Sequence, residues 1–132
     1  MAILRNRNGF TFIEMLAVLV VLGILAVIAV PRLFEVRYEA FRTAAMSDLR
    51  NMTTAQEVYR GSQDRYAWEI GDLDFDQSAG VGVNITEASG TGWAAVARHG
   101  SFPASECGIF VGTASAANAG PATAPGQIIC SR

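Results

Sequence analysis

A single carboxylate, Glu14, lies at the start of a long apolar run and is the fifth residue counted from Phe10. From Met15 to Val30 no residue is charged or strongly polar. An unpaired charge at membrane depth is costly, roughly 2.5–3.5 kcal/mol at a helix centre on insertion scales. Cutting the chain after Gly9 would leave an amine on Phe10, which titrates at about 7.7–8.0 and is therefore a cation beside a carboxylate. A cut at this position would therefore supply the partner that the Glu14 carboxylate calls for.

The apolar run is long enough to cross a membrane. Phe10–Val30 has 21 residues, and a spanning helix needs about 20. Arg5 and Arg7 precede it, so the positive-inside tendency predicts that the chain begins in the cytoplasm and continues outside. A removable secretory signal has a shorter apolar region and a small-residue cleavage site, which this run lacks. A plain membrane anchor remains the alternative, with Glu14 lying only among the lipid headgroups.

The two cysteines, Cys107 and Cys130, are the next candidates for chemistry. In an exported protein they would form one disulfide, and in a cytosolic protein they would be two inert thiols. The loop they would close contains 24 residues, and such a closure is worth roughly 3–3.5 kcal/mol. A catalytic Cys107 paired with His99 would need a third, orienting group, and no such group is indicated. We therefore predict no catalytic site and expect His99 on the surface.

Three aspartates, Asp72, Asp74 and Asp76, suggest a cation site at first sight. An EF-hand loop beginning at Asp72 would require glycine and glutamate where this chain has Gln77 and Val83. We therefore predict a solvated acidic edge with no metal, and no cofactor elsewhere in the chain.

Composition limits the classes of partner. The 132 residues contain ten Arg and no Lys against twelve acidic residues, and the mean hydropathy is +0.27. Without residues 1–9 the balance is eight basic against twelve acidic residues, a formal charge of −4. No basic patch appears, so nucleic acid is not expected as the main partner.

The helical pattern continues beyond Pro31. Apolar residues recur at steps of three and four to Arg60, which predicts one helix over Phe10–Arg60 of about 75 Å, ended by Gly61. Gly23 and Pro31 are its weak points, because proline removes a backbone donor and kinks a helix. The predicted apolar stripe comprises Phe34, Tyr38, Phe41, Ala45, Leu49, Met52, Ala55 or Gln56, and Tyr59. The solvent-facing side of the helix is predicted to carry Glu35, Glu39, Arg42, Asp48 and Arg50.

The C-terminal part is predicted to be a small β domain. Residues 61–79 are expected to form a loop with one helical turn near Tyr66–Ile70. Four strands are predicted, at Gly82–Thr86, Trp93–His99, Glu106–Gly112 and Gln127–Cys130. We expect a hairpin between the first two strands, a surface loop over Thr113–Gly126, and an antiparallel sheet packed on the helix.

The N-terminal residues together resemble the type IV pilin and pseudopilin family. The resemblance lies in Gly9-Phe10-Thr11-Phe12-Ile13-Glu14, the apolar run that follows, and Pro31. The family pattern is a short basic leader ending in Gly, then Phe, then Glu as the fifth residue of the mature chain. This chain departs from it at Asn8, where a basic residue is common, and at Phe12, where Leu is common.

The resemblance implies an α+β pilin fold, in which a long N-terminal helix packs on a roughly four-stranded antiparallel sheet. It divides the chain into a leader (1–9), a membrane or filament-core helix (10–30), an amphipathic continuation (31–60) and a β domain (61–132). It implies that a prepilin peptidase cuts between Gly9 and Phe10 and methylates Phe10, and that Glu14 sets the assembly register. Between Gly23 and Pro31 the helix would either lose its helicity in the filament or only bend gently, and the sequence does not decide between the two. Cys107–Cys130 would form a disulfide loop.

The implied function is that of a structural subunit and not of an enzyme. The chain would enter the cytoplasmic membrane with its C-terminus outside and then join an extracellular pilus filament of its own kind. An assembly ATPase and a membrane platform would be its partners. The alternatives are a pseudopilin of a type II secretion system, a minor pilin, or a monomeric membrane-anchored binding domain.

Overall fold

A long helix dominates the computed structural model, which describes residues 9–131. Helix α1 covers Phe12–Gln63, 52 residues with Pro31 inside it. The predicted single helix is therefore confirmed, although it begins two residues later than Phe10 and ends three residues later than Arg60. The chain divides into two compact units, the first ending at Arg37 and the second beginning at Tyr38.

In the second unit, one face of α1 forms part of the core. Its buried residues are Phe41, Ala45, Asp48, Leu49, Met52 and Gln56. The predicted stripe is confirmed from Phe41 to Met52, whereas Phe34 is exposed. The prediction that Asp48 faces solvent is wrong, since only 2% of its surface is exposed. Glu39 and Arg42 do lie outside this core, where they form an ion pair at 3.4 Å.

The sheet is an antiparallel meander of four strands in the order β1-β2-β3-β4. The strands are β1 (Val81–Ala88), β2 (Gly92–His99), β3 (Phe102–Gly112) and β4 (Ile129–Cys130). All four predicted strands and the hairpin at Gly90–Gly92 are present, but β1 and β3 are longer than expected and β4 is shorter. The expected helical turn at Tyr66–Ile70 is displaced to a 3-10 helix at Ile70–Asp72.

The inner face of the sheet packs against α1. Alternate residues of β2, including Trp93, Ala95 and Ala97, are fully buried beside Leu49 and Met52 of the helix. The side-chain alternation of β-strands places these three residues on one face. His99 is half-buried at the end of this row, with its ring 5.2 Å from that of Phe41, so the expectation of a surface histidine is wrong.

The outer face of the sheet is covered by the segment that follows β3. Three alanines of this segment, Ala114, Ala119 and Ala122, are buried against Ala94 and Phe110. The segment was predicted to be a surface loop, but it forms a third layer. A methyl group at Gly108 would lie 1.8 Å from the carbonyl oxygen of Ala119, so the loop can pack this closely only because position 108 has no side chain.

Candidate processing and assembly segment

The residues expected to be cleaved lie outside the helix. Gly9, Phe10 and Thr11 are non-helical and exposed, and α1 begins at Phe12. A side chain built at Gly9 would meet no atom within 4 Å, so nothing in this fold demands a glycine there. The scissile bond expected between Gly9 and Phe10 is thus in accessible, non-helical backbone.

Thr11 and Glu14 together cap the start of α1. The Thr11 N–H donates to Oε2 of Glu14 at 2.9 Å, and the Thr11 hydroxyl donates to the same oxygen at 2.7 Å. In return the Glu14 N–H donates to the Thr11 hydroxyl oxygen at 3.3 Å. This reciprocal pattern is the capping box, in which Ser or Thr precedes Glu by three residues. The sequence analysis missed it, although the Thr-x-x-Glu spacing was the signal.

The capping box uses only part of the hydrogen-bonding capacity of the Glu14 carboxylate. Both hydrogen bonds from Thr11 end on Oε2, and Oε1 has no hydrogen-bond partner among residues 9–131. A carboxylate has about four lone-pair positions, so the capped Glu14 still has acceptors for a cation. Glu14 is also exposed, and the arrangement therefore leaves room for the expected amine.

The apolar part of α1 has no packing partner among residues 9–131. Its most apolar 18-residue window has a mean hydropathy of 3.0 and is 0% buried. By length and composition this helix could cross a membrane. Large side chains along it are largely exposed, for example Leu19 at 63% and Val27 at 74%. An apolar surface of this length requires lipid or other helices around it.

Gly23 and Pro31 both lie within continuous helix. A side chain at Gly23 would meet no atom within 4 Å, so a close contact inside this chain does not explain the glycine. Loss of helicity between these two residues in an assembly stays a prediction.

The two cysteines meet within the second unit. Cys107 and Cys130 form a disulfide that joins β3 to the short strand β4. His99 lies outside this pair and packs against aromatic rings. The aspartates at positions 72, 74 and 76 are exposed, as expected for a solvated edge. No group of three or more potential metal ligands occurs among the described residues.

Two polar anchors of the connection between helix and sheet were missed. Asp48 accepts hydrogen bonds from the Ser78 N–H at 2.8 Å and from its hydroxyl at 2.7 Å. The Gln56 amide donates to the Ala67 carbonyl oxygen at 3.0 Å and accepts from the Ala67 N–H at 2.8 Å. Each anchor spans eleven residues or more, and no local sequence signal marks either one.

Tyr66 adds a third polar contact in the same connection. Its hydroxyl donates to Glu57 at 2.8 Å and accepts from Arg60 at 3.1 Å. Burial, followed by the hydrogen bond to Glu57, raises the pKa of the Tyr66 phenol. The phenol therefore remains neutral at ordinary pH and keeps donating to Glu57.

Comparison with known proteins places the N-terminal segment in a defined family. The family profile described as "Prokaryotic N-terminal methylation motif" matches residues 4–30. The chain is 33% identical over 88 residues to the type IV major pilin protein PilA of Myxococcus xanthus, a match covering 65% of this chain and 40% of that protein. It is 37% identical over 70 residues to the type II secretion system core protein G of Aeromonas hydrophila, covering 53% of this chain and 49% of that protein. In both cases the match spans half or less of the relative's length.

A further relative is matched over most of its length. The type IV wide pilus major component PilA4 of Thermus thermophilus is 30% identical over 100 residues, which cover 73% of this chain and 76% of that protein. Together with the methylation motif and the helix-on-sheet fold, this match shows that the chain belongs to the type IV pilin and pseudopilin family.

Proposed function

We propose that this chain is a structural subunit of a type IV pilus filament. Residues 1–9 are its leader, a prepilin peptidase cuts between Gly9 and Phe10, and the new amine on Phe10 is methylated. The helix then polymerises with copies of itself. The role is structural and involves no catalysis by this chain.

The unburied apolar helix carries this proposal. The core formed by the described residues lies after Tyr38, so the helix before that point has no apolar neighbour among them to pack on. Lipid can cover it before assembly, and equivalent helices can cover it afterwards. The charge of Arg5 and Arg7 favours a cytoplasmic start and an outer C-terminus, as a subunit drawn outward from the cytoplasmic membrane requires.

Cleavage after Gly9 and the ion pair between Glu14 and the Phe10 amine are linked steps of this mechanism. Removal of the leader takes away two arginines that hold the N-terminus in the cytoplasm and creates a cation on Phe10. The Glu14 carboxylate, still bonded to Thr11 through Oε2, offers Oε1 to the Phe10 amine of the adjacent subunit. Such a pair removes the cost of an isolated charge at membrane depth and fixes the axial position of each helix.

Assembly driven in this way requires machinery. Lipid tails are as apolar as leucine, so transfer of the helix from lipid to a bundle gives little hydrophobic gain. An assembly ATPase and a membrane platform would supply the free energy for this transfer. The resulting pilus would be extracellular.

Substitution of Glu14 tests the proposal. Glu14→Ala should still insert in the membrane but lower the yield of sheared filaments at least about tenfold, since about 1.4 kcal/mol corresponds to that factor. Glu14→Gln keeps an acceptor for Thr11 but loses the charge, and should fail similarly. Glu35→Ala removes an exposed carboxylate from the same helix and should assemble normally. Equal filament yields from all three variants and the wild type would exclude the proposal and favour a monomeric anchor.

A pseudopilin of a type II secretion system is the second candidate. The match to the Aeromonas hydrophila core protein G favours it. Deletion of the gene at its native expression level separates the two. Loss of surface fibres that contain the chain supports the pilus, whereas loss of secreted enzymes without loss of fibres supports the pseudopilus.

A further inference from the structure

An open groove of about 550 Å³ runs beside the C-terminal end of α1, within the second unit. Its floor includes Ala55, Val58 and Tyr59, and Asp72 and Asp74 lie on its rim. Val58 is 70% exposed, so its side chain offers apolar surface to a partner. The groove thus combines apolar surface with negative charge.

The negative charge of the rim is not compensated locally. Residues 64–76 contain five acidic residues and one arginine. Within residues 9–131, neither the Asp72 nor the Asp74 side chain forms an ion pair or a hydrogen bond. The chemistry that fits the groove is therefore an apolar surface flanked by cations.

The first unit carries a helix face of that chemistry. Arg32, Leu33, Val36 and Arg37 share one side of α1, because residues three and four apart on a helix are neighbours. Leu33 is 52% exposed and Val36 is 66% exposed. In the described part of the chain, neither arginine forms an ion pair. Glu35 is three residues from Arg32 and therefore lies beside it at the edge of this face, but two arginines against one carboxylate leave the face with a net positive charge.

We propose that the Arg32–Arg37 face of one copy docks in the groove of a second copy, with the arginines against Asp72 and Asp74. This inference rests on the proposed function and names one contact of the filament. The two surfaces are different, so the contact is heterologous, and repetition of a heterologous contact gives an open helical assembly when its rotation does not close a ring. Exposed ion pairs individually contribute little to affinity, so this contact selects the register of neighbours and weakens as salt screens it.

Charge reversal in the full-length chain tests the proposal through the yield of sheared filaments. Asp72→Arg with Asp74→Arg juxtaposes like charges and should lower the yield about tenfold, which corresponds to about 1.4 kcal/mol. Arg32→Asp with Arg37→Asp should do the same, and the combination of all four substitutions should restore most of the yield. The matched control is Glu69→Arg with Asp76→Arg, which makes the same change in charge at exposed positions outside the groove and should leave the yield unchanged.

Cysteine cross-linking provides a second measurement that does not depend on the charge variants. Filaments from a chain with Val36→Cys and Val58→Cys should give a ladder of linked subunits after oxidation, and either single variant should give none. The inference is overturned if wild-type filaments form while the groove variant assembles equally well, or if the four substitutions together restore nothing. Absence of the ladder from assembled filaments also overturns it. In all these cases the proposed function stands, whereas a wild-type chain that never forms filaments removes both.

A lipid surface is the competing occupant of the arginine face. Retention of the Arg32→Asp, Arg37→Asp variant in membranes measures that contact directly. If only the arginine substitutions impair assembly, through weaker membrane retention, and the groove substitutions do not, the docking of two copies is excluded.

Discussion

Glu14 and Asp48 are both held by hydroxyl and amide groups of the same chain, but their surroundings differ. Glu14 is exposed and keeps one carboxylate oxygen without a partner among the described residues. Asp48 is 98% buried, and both its oxygens accept hydrogen bonds from Ser78. The first arrangement suits an encounter with another subunit, and the second fixes a loop to the helix.

Removal of the Asp48 carboxylate should destabilise the β domain. Asp48→Ala leaves the half-buried Ser78 donors without acceptors, and hydrogen bonds to charged groups are worth about 1.5–3 kcal/mol. Thermal unfolding of the full-length chain in mild detergent, followed by near-ultraviolet circular dichroism, measures the loss. Asp76→Ala, at an exposed position in the same loop, should change the free energy of unfolding by less than about 0.5 kcal/mol. A similar small effect of Asp48→Ala would show that its hydrogen bonds contribute nothing.

Glu87 should make the loop over the outer face of the sheet sensitive to acid. Its carboxylate accepts from the Asn118 amide and the Ser115 N–H, both at 2.9 Å, and these bonds lower the pKa of Glu87. Because the folded pKa is depressed, the stabilisation is present above glutamate's ordinary pKa of about 4.3. It is lost as the pH falls through the folded value.

Hydrogen exchange at the Ser115 amide should therefore accelerate in acid beyond the intrinsic change of rate. Glu87→Gln cannot titrate and should remove this pH-dependent component. An identical pH profile in wild type and Glu87→Gln would contradict the assignment.

Residue roles that depend on neighbouring positions in the sequence could be predicted, whereas roles that depend on tertiary contacts could not. Gly9, Phe10 and Glu14 could be singled out because their spacing is contiguous in the chain, and so could the capping Thr11. Asp48 could not, because a charged residue on a helix with Ser47 before it and Arg50 close by predicts a solvent-exposed position. Its partner Ser78 lies thirty residues away, and only the folded sheet brings the two together.

Among the elements, the helix and the sheet could be predicted from the sequence pattern, whereas the residues at which they begin and end could not. The steps of three and four along α1, the alternation of apolar and polar residues over Gly82–Thr86, and the glycines that bound Trp93–His99 were sufficient to predict the helix and these two strands. The extension of β3 back to Phe102 depends on pairing with His99, which is a tertiary contact. The third layer was missed because Gly-, Ala- and Pro-rich segments are typical of loops, and its buried alanines carry no periodic signal.

The short strand β4 should depend on the disulfide. Its two residues pair only with Cys107 and Gly108, and the Ser131 N–H donates to the Glu106 carbonyl oxygen at 2.8 Å. Cys107→Ala with Cys130→Ala should lower the free energy of unfolding by roughly 3 kcal/mol, as expected when a loop of this size is no longer closed. It should also accelerate hydrogen exchange at Ile129 and Ser131.

Chemical reduction of the wild-type chain is the matched control, because it opens the same loop without changing the side-chain volume. It should reproduce the exchange pattern of the double variant. Unchanged exchange at Ser131 after reduction would show that hydrogen bonds alone hold β4.

At the level of the whole molecule, the two units differ in how they satisfy their apolar surface. The part from Tyr38 buries its own residues between helix, sheet and outer loop. The helix before Tyr38 leaves its large side chains exposed and depends on lipid or on other copies. A chain of this kind is complete in its β domain and incomplete in its N-terminal helix, as expected of a subunit that assembles through that helix.

The central claim is that cleavage after Gly9 converts a membrane anchor into an assembling helix. The most direct test is the mass of the N-terminal peptide released from sheared filaments of the wild-type chain. We predict a peptide that begins at Phe10 and carries one additional methyl group. Filaments whose subunits retain residues 1–9, or a processed chain that remains monomeric in the membrane, would contradict the claim.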